Sequence, residues 1–256
     1  MIRVAVLGLG EAGSALAADL VAAGVDVHGF DPGDVATPPG VTRHPDAASA
    51  VGDVEVVIAV TASANAEAAL LDALPAVAPG TVYADLSTGS PGSKRHLDEL
   101  AAAAGVGFAD VALMAPVPGR GLRTPAVASG PAAARFVEII HPLGMPVEYD
   151  GDFTGNAATR KLLRSIVMKG LAGVLRESME AAQRAGLADE TWSNLVDQLT
   201  NADEVLLRRL AEARGSHALR RVEEMEAAEQ LLVELGVEPT MTRATVASLR
   251  QLAERS

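Results

Sequence analysis

Two groups of residues in this sequence have types and spacing that could do chemistry. The first is Gly8-Leu9-Gly10-Glu11-Ala12-Gly13, a GxGxxG run followed 18 residues after its last glycine by Asp31. Glycines at these places permit a tight turn, a close backbone approach and close helix–strand packing, while free N–H groups at a helix start attract a pyrophosphate. An acid at the end of the following strand accepts hydrogen bonds from the adenosine ribose hydroxyls. A 2′-phosphate would meet that carboxylate, and Pro32-Gly33-Asp34 offers no Arg or Lys to hold it. These residues therefore read as a dinucleotide site, for NAD in preference to NADP. The second group is Lys161, Ser165 and Lys169, four apart, so that Lys161 and Ser165 share a helix face. A lysine beside a nicotinamide can give a proton to a carbonyl oxygen during reduction or take one during oxidation. Plainer readings stand beside both: a glycine-rich turn in an ordinary α/β protein, and solvated surface lysines.

Asp85-Leu86-Ser87-Thr88-Gly89-Ser90-Pro91 offers hydroxyls and N–H groups where a strand gives way to a helix. That suits a substrate carboxylate and equally suits an N-cap with a turn. His217, Arg220, Arg221 and Glu224 form either a solvated helix face or an anion contact supplied by a second subunit. Gly170 and Gly173 inside a helix suit close packing, or the approach of a cofactor. His28, His44, His96 and His141 stand singly, cysteine is absent, and no metal site is read.

The elements that must position these groups follow a simple alternation. Apolar runs at 2–7, 25–30, 54–60, 81–85, 106–112, 126–129 and 146–149 read as strands, and helical stretches at 12–23, 46–52, 63–74, 90–104 and 131–141 separate most of them. A proline- and glycine-rich loop covers 32–45. The pattern predicts a doubly wound, mostly parallel sheet whose ligands lie beyond the carboxyl ends of the strands. From 156 to 185 no proline interrupts a helical pattern, and 188–199, 201–214, 216–235 and 240–255 also read as helices. The expected organisation is a dinucleotide-binding Rossmann domain over 1–151 and an all-α domain over 152–256, joined by the long helix.

A net charge of −12 argues against nucleic acid, which needs a basic footprint. The N-terminal apolar run reads as a strand rather than a signal peptide, and nothing approaches the roughly 20 apolar residues of a membrane span. A cytoplasmic, soluble protein is expected. With aromatics at 3%, its core must be built from Ala, Val and Leu.

With these motifs in hand, the chain resembles the β-hydroxyacid dehydrogenases, relatives of 6-phosphogluconate dehydrogenase, 3-hydroxyisobutyrate dehydrogenase and the imine reductases. GLGEAG at 8–13 looks like the family's GLGxMG, DLSTGSP at 85–91 its DxSTxxP, and Gly155 through Lys161 to Ser165 its G…KxxxN helix. The resemblance implies that Lys161 is the acid/base, that Ser87, Thr88 and Gly89 hold a substrate carboxylate, and that Thr61 and Ala62 line the cofactor. Ser165 stands where the family has Asn, and 110–121 departs from its DAPVSGG loop, bringing in Arg120. Arg120 and Arg221 are further candidates for contact with an anionic small-molecule substrate. The resemblance also implies a homodimer formed through the C-terminal helices. The expected activity is NAD(P)-dependent interconversion of a β-hydroxy acid or related polar alcohol and its carbonyl. The alternatives are an imine reductase and a non-catalytic dinucleotide-binding protein.

Overall fold

The computed structural model describes residues 1–211 and 218–254. In chain order the elements are β1 (Arg3–Leu7), α1 (Glu11–Ala22), β2 (Asp26–Phe30), β3 (Val41–Arg43), α2 (Ala47–Val51), β4 (Val56–Ala59), α3 (Ala66–Ala73), β5 (Val82–Asp85), α4 (Pro91–Ala103), β6 (Gly107–Leu113), β7 (Ala126–Ser129), α5 (Ala133–Ile140), β8 (Val147–Tyr149), α6 (Asn156–Ala185), α7 (Ala188–Thr200), α8 (Glu204–Ala211), α9 (Ala218–Glu234) and α10 (Thr240–Glu254). The strands form one sheet in the order β3-β2-β1-β4-β5-β6-β7-β8. Every neighbouring pair is parallel except β6 and β7.

Burial on both faces follows from side-chain alternation along the strands. Val4 and Val6 of β1 join Ile58, Leu16, Leu20 and Phe136 on one face, while Ala5 and Leu7 join Val57, Leu70, Leu97 and Phe108 on the other. The proline-rich stretch read as loop contains β3, a three-residue strand against β2. It escapes a periodicity reading because it is short, and its edge position tolerates the neighbouring Pro38 and Pro39.

The chain divides into two compact units, 1–164 and 165–256. The division falls later than the 151/152 boundary expected from the sequence. The reason is chemical: the first turn of α6 is tied to the sheet through Asp110 and Ser129, described below. In the second unit, Glu177 accepts hydrogen bonds from Met241 N (2.7 Å), Thr242 N (2.9 Å) and Thr242 Oγ1 (2.7 Å), which caps the start of α10. Ala181, Leu232 and Val237 form a small apolar cluster there. The expected stop at Gly215, and His217, lie outside the described residues. Among the described residues no helix is long and apolar enough to cross a membrane.

Candidate active site

Register in the sheet aligns the strand ends from which the cofactor-loop candidates leave. Phe30, Leu7, Ala59, Asp85, Asp110 and Ser129 pair in succession, forming one row across β2, β1, β4, β5, β6 and β7. The segments that leave the sheet just beyond this row on β1, β2, β4 and β5 begin at Gly8, Asp31, Val60 and Leu86. The carboxyl ends of four parallel strands therefore open on one edge, where doubly wound sheets bind ligands.

At that edge Gly8 adopts φ +96°, and a Cβ there would stand 2.5 Å from Val60 O. A Cβ at Gly13 would fall 1.8 Å from Gly8 O, so the helix packs against the turn only because that side chain is absent. Gly10 has open space where its side chain would be, and it gives α1 no side-chain cap. The N–H groups of the first helical turn are left for an outside acceptor. Glu11, the first residue of α1, is exposed, and Ala12 follows it on the helix.

Asp31 is held from two sides. Its Oδ2 accepts from Leu9 N at 2.7 Å and its Oδ1 from Gly33 N at 2.8 Å. Gly8, Gly10, Asp31, Pro32, Thr61 and Ala62 line a cleft of about 480 Å³. Thr61 Oγ1 is buried there with no hydrogen-bond partner, a state that costs free energy unless a ligand completes it. The free helix N–H groups, the open backbone at Gly10, the Asp31 carboxylate and the orphaned hydroxyl together fit a dinucleotide.

The substrate-side candidates divide. Ser87 is buried, and its hydroxyl donates to Asp85 Oδ2 at 2.9 Å, with Ser87 N on Asp85 Oδ1 at 3.1 Å. That proton is committed to the loop, whereas Thr88 is exposed and Gly89 half-buried. Ser90 Oγ accepts from Ser93 N at 3.0 Å and Pro91 starts the helix, so the N-cap reading applies at this end. Arg120 is exposed on a loop that Asp19 pins to α1, through Leu122 N to Asp19 Oδ2 at 2.8 Å. Ser165 and Arg221 belong to the second unit. There Lys169 Nζ lies 3.5 Å from Ser165 Oγ, and Arg221 is half-buried on α9. Gly173 faces Met241 Sδ, 3.3 Å from where a Cβ would be, in keeping with the packed-helix reading.

Lys161 is half-buried, one turn beyond the anchored start of α6, within the first unit. That start is fixed to the strand-end row. Asp110 Oδ2 accepts from Gly155 N (3.2 Å) and Ala158 N (3.0 Å), and Ser129 Oγ accepts from Ala157 N (3.0 Å). A Cβ at Gly155 would lie 3.1 Å from Pro91, so α6 also starts against the beginning of α4.

Sequence reasoning missed the group that neutralises Asp110. Lys94, 1% exposed, places Nζ 2.7 Å from Asp85 Oδ2, 2.9 Å from Asp85 O and 3.3 Å from Asp110 Oδ1. The available signal was scarcity, because Lys94, Lys161 and Lys169 are the chain's three lysines. Aspartates ending or lying within two neighbouring predicted strands marked its partners. Arg43 was missed as well: it lies twelve residues after Asp31, well beyond Pro32-Gly33-Asp34, yet its guanidinium reaches the Asp31 loop.

Known proteins share parts of this sequence and its fold. Residues 3–121 match the NAD binding domain of 6-phosphogluconate dehydrogenase, and 182–252 match a domain of unknown function, DUF1932. A probable 3-hydroxyisobutyrate dehydrogenase of Mycobacterium bovis is 28% identical over 210 residues, covering 79% of this chain and 70% of that protein. The first curated relatives are spanned over 66% and 70% of their own length. A solved protein of unknown function, described as structurally similar to 3-hydroxyacid dehydrogenases, is 28% identical with a TM-score of 0.62, over 99% of this chain and 97% of the other. A reductive aminase of Aspergillus terreus, solved with NADPH and ethyl levulinate, has a TM-score of 0.83 at 19% identity, over 100% of this chain and 95% of that one, a likeness of fold. Over residues 3–121 the chain is thus similar to the NAD binding domain of 6-phosphogluconate dehydrogenase, and over 182–252 to a domain of unknown function.

Proposed function

We propose that the protein is an NAD-dependent dehydrogenase that interconverts a small β-hydroxy acid, or a related polar alcohol, and its carbonyl. The observation that carries this reading is the strand-end row, which serves the glycine turn and Asp31 at one side and fixes the first turn of the Lys161 helix at the other. When bound, NAD supplies the acceptor for the hydride that leaves the alcohol carbon with its bonding electrons. The chain's own part is to take the hydroxyl proton, and Lys161 does this as a neutral amine, returning the proton when a carbonyl is reduced. Asp31 accepts from the ribose hydroxyls, and the α1 N-terminus with the backbone at Gly10 faces the pyrophosphate. A 2′-phosphate would be repelled by Asp31, which favours NAD over NADP. The N–H groups and hydroxyl of Thr88 and Gly89 suit a substrate carboxylate better than Ser87, whose proton is used internally.

The helical unit supports a homodimer. Ile166, Val167 and Val174 on α6 are 69%, 65% and 44% exposed, and with Leu171 they recur at helical spacing on one side of the helix. A second copy of the same unit would cover them, and Ser165 and Arg221 would then serve the substrate from that unit.

The test is NADH formation against a panel of β-hydroxy acids, with cyclic imines in the reverse direction. Lys161→Ala is expected to lower kcat by about 10²–10⁴-fold with hydroxy acids while NAD binding is retained. Turnover of imines alone, little affected by Lys161→Ala, would make the protein an imine reductase. Tight NAD binding with no turnover of any substrate would make it a binding protein.

A further inference from the structure

We propose that Arg43 is a positioning residue for the adenosine ribose clamp, and that it sets the preference for NAD without touching the cofactor itself. This rests on the dinucleotide reading of the cleft. Asp31 and Pro32 wall the ribose end of the cleft, and the segment that runs on from them to Thr37 is held little by its own backbone. Pro32 has no N–H, Pro38 and Pro39 follow, and within the segment the backbone closes one short turn, Val35 N to Gly33 O at 2.9 Å. The missing partners come from Arg43 on β3. Its two terminal nitrogens donate to Asp31 O (2.9 Å), Gly33 O (2.8 Å), Val35 O and Thr37 Oγ1 (3.2 Å). A planar guanidinium can serve four acceptors spread over one loop, whereas a lysine ammonium is a compact point charge.

The consequence falls on Asp31. Its carboxylate is fixed by Leu9 N and Gly33 N, its carbonyl by Arg43, and Gly33 itself is fixed through its carbonyl by Arg43. Arg43 thereby holds the acid at the ribose in one orientation. The same contacts occupy the two terminal nitrogens with which the guanidinium would otherwise grip a 2′-phosphate. This accounts for a cation beside an NAD-type acid: it is spent on the loop, and an NADP phosphate would meet Asp31 instead.

The experiment measures NADH and NADPH binding by nucleotide fluorescence for wild type, Arg43→Ala and Arg43→Lys, together with the melting temperature of each protein without nucleotide. Arg43→Ala is expected to weaken NADH binding about tenfold and NADPH binding less, so that discrimination narrows while the unliganded protein stays folded. Arg43→Lys is expected to behave like Arg43→Ala. A selective loss of NADPH binding with NADH unchanged would overturn the inference and make Arg43 a phosphate ligand. Unchanged binding of both nucleotides, or full rescue by lysine, would also overturn it. Failure of wild type to bind either nucleotide would remove the cofactor reading instead, which separates the two failures.

Discussion

The sheet unit and the helical unit treat apolar and charged side chains in opposite ways. In the first, the central strands are apolar on both faces and are covered, and the deepest charges, Lys94, Asp85 and Asp110, are at most 1% exposed and form a buried ion-pair cluster. In the second, large apolar side chains lie open: Trp192 is 57% exposed, Val205 73% and Leu210 63%. The sheet unit is a closed core that stores its polar groups inside. The second unit has only a small buried apolar cluster and leaves large apolar side chains outward, the feature on which the proposed homodimer rests.

The contrast breaks most sharply at Lys94. Its removal leaves two carboxylates buried without a cation, and breaking a buried ion pair costs about 3–5 kcal/mol. Lys94→Met should therefore shift the urea midpoint strongly, to the same extent at low and high protein concentration, because the loss lies inside one chain. Adding Asp85→Asn should recover part of it. If the difference in midpoint between Lys94→Met and wild type changed with protein concentration, the sheet unit would not be self-contained.

The second test acts on the open face. Ile166→Glu places a charge in the exposed apolar row and should weaken self-association more than tenfold, measured by sedimentation over a dilution series. Wild type should melt at a temperature that rises with concentration, as a linked dimer does. NAD binding by the sheet unit should be unchanged. A wild-type protein that sediments as a monomer at every concentration would end the homodimer proposal.

How much of this was legible in the sequence depends on the range of the interaction. Apolar runs exposed β1, β4 and β5, because a strand covered on both faces is a continuous apolar run, whereas β2 buries only alternate residues. The glycine turn and Asp31 were legible because their spacing is set by one strand, one helix and the next strand. β3 was not, since three edge residues carry no period. Lys94 was not, since its carboxylates come from two strands that only the sheet makes neighbours. Ser87 was read for its hydroxyl, but where that proton points is decided by Asp85, two residues earlier and folded back upon it. The boundary between the units was placed at the change in composition, whereas capping by Asp110 and Ser129 carries the first turns of α6 with the sheet.

The smallest effect separates the two units by pH. At the edge of the sheet, His28 Nδ1 and His44 Nε2 lie 2.8 Å apart, a bond that needs at least one neutral ring. Burial, and then the neighbouring His28, hold the His44 imidazolium below the usual histidine range, against an opposing pull from Asp46. In the helical unit, burial works to raise the Glu177 carboxyl, but hydrogen bonds from Thr242 and Met241, aided by Arg176, outweigh it and hold it below the usual range. Both groups have folded values below their unfolded ones, so both contribute stability at high pH that is lost on acidification. For His44 the loss begins near the unfolded value of about 6.5, and for Glu177 near about 4.3. Hydrogen exchange should follow that order as pH falls, once the intrinsic pH dependence is removed. The His44 amide, bonded to Gly29 O, should lose protection first, and the Thr242 amide, bonded to Glu177, only in the lower window. Glu177→Gln should abolish the lower step and leave the upper one in place. A single step shared by both amides would mean that the units open together, and the contrast between them would hold for their surfaces but not for their stability.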